Sequence, residues 1–164
     1  DLGVPSRISI PIALSFKELV SRTPTKPTWY CSHWWGEAVL DFLMCCETHA
    51  QLRRLSDFEA GYWVCAYAIR QHELGIEVNV DLEQCSFVKA MRAACGVLLI
   101  LDAQVTPFRR IWCDYELYMA LNHEGKMLDI VTVDTSKNDQ APQAHVLTRE
   151  VLPKEGTMMK KRRE

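Results

Sequence analysis

Gly96-Val97-Leu98-Leu99-Ile100-Leu101-Asp102 is the stretch on which the fold of this 164-residue chain turns. A strand with one solvated face alternates apolar and polar residues, whereas a strand covered on both faces reads as an unbroken apolar run. Val97 to Leu101 is such a run, entered through a glycine and left through an aspartate. It predicts a central parallel strand.

Working outward, residues 86 to 94 predict a short helix before this strand. A loop containing Pro107 follows it, then a helix over Ile111 to His123 that Gly125 stops, then a strand over Leu128 to Val133. Upstream, Tyr62 to Ala68 is aromatic and β-branched enough for a buried strand, and the polar Arg70-Gln71-His72-Glu73 opens a long connection after it. Val39, Leu43, Cys46 and Ala50 recur at helical spacing within a predicted helix from Glu37 to Arg54, whose Arg53 and Arg54 complement the C-terminal dipole. Thr28 to Ser32 predicts the first strand, leading into a loop at His33-Trp34-Trp35-Gly36-Glu37. Strand and helix alternate throughout. The expected architecture is α/β, a flavodoxin-like three-layer fold with a mostly parallel central sheet covered by helices on both faces.

The expected organisation is one domain over 28–134, with ragged ends. Residues 1–27 form an extended lead-in, because Pro5, Pro11, Pro24 and Pro27 remove donors and restrict their neighbours, with room for a short helix around Ser15 to Ser21. Residues 135–164 are a polar, weakly patterned extension in which no fifth strand is visible. A net charge of -2 gives no basic field for nucleic acid, and Lys160-Lys161-Arg162-Arg163 reads as a solvated tail. No apolar run reaches the roughly 18 to 20 residues that a membrane span needs. The seven cysteines sit mostly in apolar surroundings such as Trp63-Val64-Cys65-Ala66-Tyr67, where a thiol behaves as a small hydrophobe. These features predict a soluble, reduced, cytoplasmic domain excised from a longer polypeptide.

In a doubly wound sheet, ligands bind beyond the carboxyl ends of the strands where strand order reverses, here between the first and third strands. Those strand ends deliver Ser32-His33-Trp34-Trp35-Gly36-Glu37 and Asp102-Ala103-Gln104 through Arg109-Arg110. The helix that opens next places Trp112, Glu116 and Ala120 along one line, flanked by Cys113 and Leu117. Glu116 is thus either a carboxylate among aromatic groups at a binding cleft or an ordinary helix ion pair with Arg109, Arg110 or a lysine.

Arg110-Ile111-Trp112-Cys113-Asp114-Tyr115-Glu116-Leu117 resembles the Ser-x-Trp-Cys-x-x-Glu-Leu segment that opens the third helix of plant Toll/interleukin receptor (TIR) domains. The Trp-Cys-x-x-Glu-Leu core is intact, with Arg110-Ile111 where the family has Ser-x. Tyr30-Cys31-Ser32-His33-Trp34 is similar to the first strand of TIR-like proteins, including a protist group, without the family's Asp-Val-Phe-Ile-Ser-Tyr signature. The likeness spans about two-thirds of the chain, residues 28 to 133. It implies NAD glycohydrolase activity with Glu116 as the catalytic residue and NAD as substrate. Ser32, His33, Trp34, Trp35, Glu37, Trp112 and Cys113 are the expected substrate-binding residues, with no resident cofactor and no metal. It equally implies self-association with like domains, and a non-catalytic adaptor is the alternative.

Three other arrangements are weaker. Asp102 ends the third strand as a receiver's phosphoacceptor does, but the first strand ends in Cys31-Ser32-His33 rather than the acidic pair that magnesium requires. Cys45, Cys46 and His49 share a helical turn without a second ligand pair, which points to helix packing. Ser32, His33 and Asp102 lack the Gly-x-Ser-x-Gly elbow of a hydrolase triad. His72 is either a surface residue or part of the pocket rim.

Overall fold

The computed structural model describes residues 14–21, 23–57, 59–72, 82–134 and 142–147. Five strands form one sheet: β1 (Trp29–Ser32), β2 (Tyr62–Val64), β3 (Gly96–Leu101), β4 (Met127–Asp134) and β5 (Gln143–Val146). Their order is β2-β1-β3-β4-β5, so the chain reverses direction across the sheet between β1 and β3. β1 is parallel to β2 and to β3, β3 is parallel to β4, and the edge strand β5 is antiparallel to β4. The helices are α1 (Phe16–Val20), α2 (Val39–Arg53), α3 (Cys65–Ala68), α4 (Ser86–Ala93) and α5 (Ile111–Asn122), with 3-10 turns at Leu82–Gln84 and Thr106–Arg109.

The layers follow from the two-residue period of the strands. Trp29 and Cys31 of β1 and Leu98 and Ile100 of β3 pack with Phe42, Cys45 and Cys46 of α2. Tyr30 of β1 and Val97 of β3 pack on the opposite face with Phe87, Val88 and Met91 of α4 and Ala120 of α5. Every residue of β1 and β3 is buried, as the apolar run predicts for strands covered on both sides. The structure is therefore the expected three-layer α/β fold with a mostly parallel sheet.

Several details differ from the sequence reading. The predicted strand over Tyr62 to Ala68 is a strand only to Val64, after which Cys65–Ala68 turns into α3. β2 lies at the sheet edge and pairs with β1 over three residues, and among the described residues no strand pairing holds those that follow extended. α2 begins at Val39 rather than Glu37, because the Glu37 amide donates to Trp34 O in a turn that precedes the helix. A fifth strand does exist: Gln143–Val146 pairs with Val131–Asp134. It is a short edge strand of mixed polarity, which has little need of an apolar pattern. α5 ends at Asn122, and Gly125, at φ 76°, turns the chain toward β4. α1 lies within the predicted lead-in, capped by Ser15 and Glu18 in a reciprocal capping box. The expectations for residues 1–13, for the middle of the Ile69 to Cys85 connection and for the basic tail fall outside the described residues.

Cys45, Cys46 and His49 are core residues, as helix packing predicts. Burial pushes the Cys45 thiol up to about 12, and no disulfide forms among the described residues. His49 belongs to a polar network that the sequence reading did not foresee. Its Nε2–H donates to Asp129 of β4 at 2.9 Å, and its Nδ1 lies 2.7 Å from the Tyr62 hydroxyl. Arg53 donates to both Asp129 oxygens, at 2.7 and 2.8 Å. Burial opposes the Asp129 charge, but hydrogen bonds from His49 and Arg53 and the arginine's charge outweigh it and bring the carboxyl down to about 2. Trp29 closes this network at the strands' amino ends, edge-on to His49 and beneath the Arg53 guanidinium.

Candidate functional site

The site forms at the opposite, carboxyl end of the strands. Position alternation in β1 puts Tyr30 and Ser32 on the face toward α5. The 3-10 turn Thr106–Arg109, with buried Pro107, delivers Arg110 as the residue before α5. On α5, Cys113 and Ala120 are buried and Glu116 lies between them, at helical spacings of three and four. The inward line is thus Cys113-Glu116-Ala120, and Trp112 stands beside it, partly exposed.

Glu116 is held from β1. Its Oε1 accepts a hydrogen bond from the Tyr30 hydroxyl at 2.5 Å, and its Oε2 accepts one from Ser32 Oγ at 2.5 Å. Among the described residues no cation lies at ion-pair distance from it, so the ordinary helix ion pair is not what the carboxylate makes. Burial raises the Glu116 carboxyl, against the lowering effect of the Ser32 and Tyr30 hydrogen bonds and of the Arg110 charge. Burial and the neighbouring carboxylate hold the Tyr30 phenol well above its ordinary range, so it remains a protonated donor. The Tyr30 ring is fully buried and stacks on Trp63 with centroids 4.9 Å apart.

A cavity of about 230 Å³ opens over this carboxylate. His33 and Trp35 from the loop after β1, and Arg110, Trp112, Cys113 and Glu116 from the start of α5, form much of its wall. Cys31, Cys65, Ile69 and Phe87 complete it, and Phe87 meets the Trp112 ring edge-on at 5.5 Å. The lining is mostly apolar and aromatic with a few converging polar groups, as in small-molecule sites.

Of the residues expected at the site, His33, Trp35, Trp112, Cys113 and Glu116 meet at this cavity, with Ser32 holding Glu116 from beneath. Trp34 and Glu37 are placed differently. They line a neighbouring cavity of about 180 Å³, on the side of the loop that faces Leu101 to Gln104. Asp102 lies there too, its two oxygens accepting from Thr106 N and Oγ1, each at 2.6 Å, as a local cap. Gly36 fits the loop to the Trp34 side chain, since a Cβ at this position would come within 2.3 Å of the indole. His72 is exposed and lies apart from the residues that line the first cavity.

Tyr30, Phe87, Cys65 and Ile69 were not anticipated. The alternation that pairs Tyr30 with Ser32 on one strand face was a usable signal for Tyr30, whereas nothing local marks Phe87, which reaches the cavity from α4. Cys113 Sγ lies 3.9 Å from the His33 carbonyl oxygen, and burial pushes its thiol up, so it acts as packing beside the carboxylate.

Comparisons of the chain with family models, with curated proteins and with solved structures find no match. No helix among the described residues is long and apolar enough to cross a membrane.

Proposed function

We propose that the chain is a TIR-like domain that cleaves NAD between nicotinamide and ribose, with Glu116 as the catalytic residue. One observation carries this reading: a half-buried carboxylate, held by two neutral hydroxyls and not by a cation, lines an aromatic cavity at the end of the sheet where the strand order reverses. The Trp-Cys-x-x-Glu-Leu resemblance supplies the substrate.

The chemistry suits a single carboxylate. Nicotinamide in NAD carries a positive charge on the nitrogen of the breaking bond. The bonding pair leaves with it as neutral nicotinamide, no proton is required, and the ribosyl carbon becomes oxocarbenium-like. A fixed negative charge in a poorly solvated wall stabilises that developing cation more than it stabilises the substrate. Water then adds to the ribosyl carbon and loses a proton to solvent, giving ADP-ribose, or an adenine nitrogen of the same molecule adds and gives a cyclic product. Tyr30 and Ser32 keep the carboxylate aimed throughout. The cavity is below the roughly 300–1,000 Å³ of sites that enclose a drug-sized ligand, so one end of the dinucleotide would enter it. The remainder would extend over Trp35 and Trp112, with Arg110 as a cation for the diphosphate.

The test is nicotinamide release from NAD by the purified protein at high concentration. Steady release supports the reading. Absence of release under crowded conditions favours the second reading, a non-catalytic self-associating module. The apolar side chains left in solvent support that module: Val39, Leu40 and Leu43 on α2, and Ile111, Tyr118 and Leu121 on α5. The two readings are compatible if association completes the site.

A further inference from the structure

His33 and Glu37 form a second polar feature beside Glu116, and its hydrogen bonding is incomplete. Their side chains are 10% and 5% exposed, and His33 Nδ1 lies 3.4 Å from Glu37 Oε2. That separation is beyond a made hydrogen bond. Both ring nitrogens of His33, and this Glu37 oxygen, are buried without a hydrogen-bond partner among the described residues. Folded proteins rarely leave three such atoms unmatched in one place, and where they do, a ligand or ordered water is the usual complement.

The surroundings favour a ligand. The His33 ring packs on Phe42 with centroids 4.8 Å apart, and the same residue lines the cavity that contains Glu116. The i,i+4 spacing brings Glu37 to the Nδ1 side of the ring, and Glu37 itself lines the neighbouring cavity. An acidic partner at Nδ1 favours the tautomer with its proton there, which leaves Nε2 as an acceptor. A carboxylate is also an acceptor only, and each Glu116 oxygen already receives one hydroxyl. Both groups therefore call for a ligand rich in hydroxyl donors.

We infer that His33, positioned by Glu37, accepts a hydrogen bond from a ribose hydroxyl of the substrate in the Glu116 cavity. This rests on the NAD reading and goes beyond it, because it assigns a specificity contact to His33 and a positioning role to Glu37. The ribose hydroxyls thus have two acceptors to meet, Glu116 on α5 and His33 on the loop after β1.

The experiment compares the binding of NAD with that of its analogues lacking the 2′- or the 3′-hydroxyl of the nicotinamide ribose. Binding is followed by quenching of Trp35 and Trp112 in a stopped-flow before turnover. Native protein prefers NAD over one of the analogues by roughly fivefold to tenfold, the range for one hydrogen bond. His33→Phe, which keeps a ring against Phe42, loses that preference, and His33→Gln, which restores an acceptor, recovers part of it. Glu37→Leu, which leaves the imidazole in place, weakens the same preference and keeps the inference testable if His33→Phe does not fold. A preference that survives in His33→Phe, or is missing from native protein that binds NAD, overturns this inference and leaves the NAD reading standing. Native protein that binds no NAD overturns both.

Discussion

Replacing Tyr30 by phenylalanine removes one oxygen from the site and leaves the ring stacked on Trp63. The lost contact is the donation from the buried phenol to Glu116 Oε1. A hydrogen bond to a charged group contributes about 1.5–3 kcal/mol, which sets the scale of what the variant loses at neutral pH. The Glu116 carboxyl, already raised by burial, should rise further in Tyr30→Phe, because it loses a donor that favours its charged form. A carboxyl raised in the folded state opposes folding at neutral pH, and the opposition is relieved as pH falls through the folded value toward the ordinary 4.5. The deficit of the variant relative to native protein is thus largest at neutral pH and shrinks under acid conditions. Titration of glutamate ¹³C-carboxyl signals by NMR, with Glu116→Gln to assign the resonance, measures the shift directly, and melting temperatures at several pH values check the linkage. An unchanged or lowered Glu116 carboxyl in Tyr30→Phe would show that the Tyr30 hydroxyl does not support the Glu116 charge.

Other outcomes follow from the same geometry. Asp129→Asn takes from the half-buried Arg53 and the buried His49 the carboxylate to which they donate, and should destabilise the fold by about 1.5–3 kcal/mol in chemical denaturation. Native Asp129, held down to about 2, contributes stability that is present above the unfolded value of 3.8 and is lost as pH falls from there through about 2. The variant should lack that part of the acid transition, worth about 2 kcal/mol. Gly36→Ala places a methyl into the Trp34 indole and should cost about 1–3 kcal/mol with a shift in tryptophan emission; unchanged melting and emission would show that the loop yields freely. Cys95 is exposed while Cys31 and Cys45 are buried, so maleimide mapping by mass spectrometry of native protein should modify Cys95 well ahead of the other two.

What could be read from the sequence was set by how much a single segment reveals about its own environment. The Val97 to Leu101 run announced a strand covered on both faces, and Glu116 could be placed near the loop after β1 because helix spacing and the topological switch point are both local rules. β5 escaped because Gln143–Val146 is an edge strand whose pairing with β4 depends on a partner and not on its own pattern. Tyr62 to Ala68 misled because aromatic bulk reads as strand whether or not a neighbouring strand continues, and here the pairing with β1 ends at Val64. At the site, the two donors to Glu116 lie 86 and 84 residues away in sequence. Such long-range contacts leave little local trace. Trp34 and Glu37 were correctly placed on the loop after β1, but the turn closed by Glu37 N and Trp34 O sends them to its other side.

Single-turnover nicotinamide release by native protein and Glu116→Gln, with NAD binding to both measured in parallel, tests whether the Glu116 charge drives cleavage. Glutamine keeps the shape, accepting from one of the Tyr30 and Ser32 hydroxyls through its oxygen and donating to the other through its NH2, but carries no charge. Both proteins should fold and bind NAD within a few-fold of each other, while release falls by at least about 100-fold in the variant, the scale of losing one electrostatic contact to a transition state. Equal release from the two proteins, or loss of binding and release in proportion, would contradict the role assigned to Glu116.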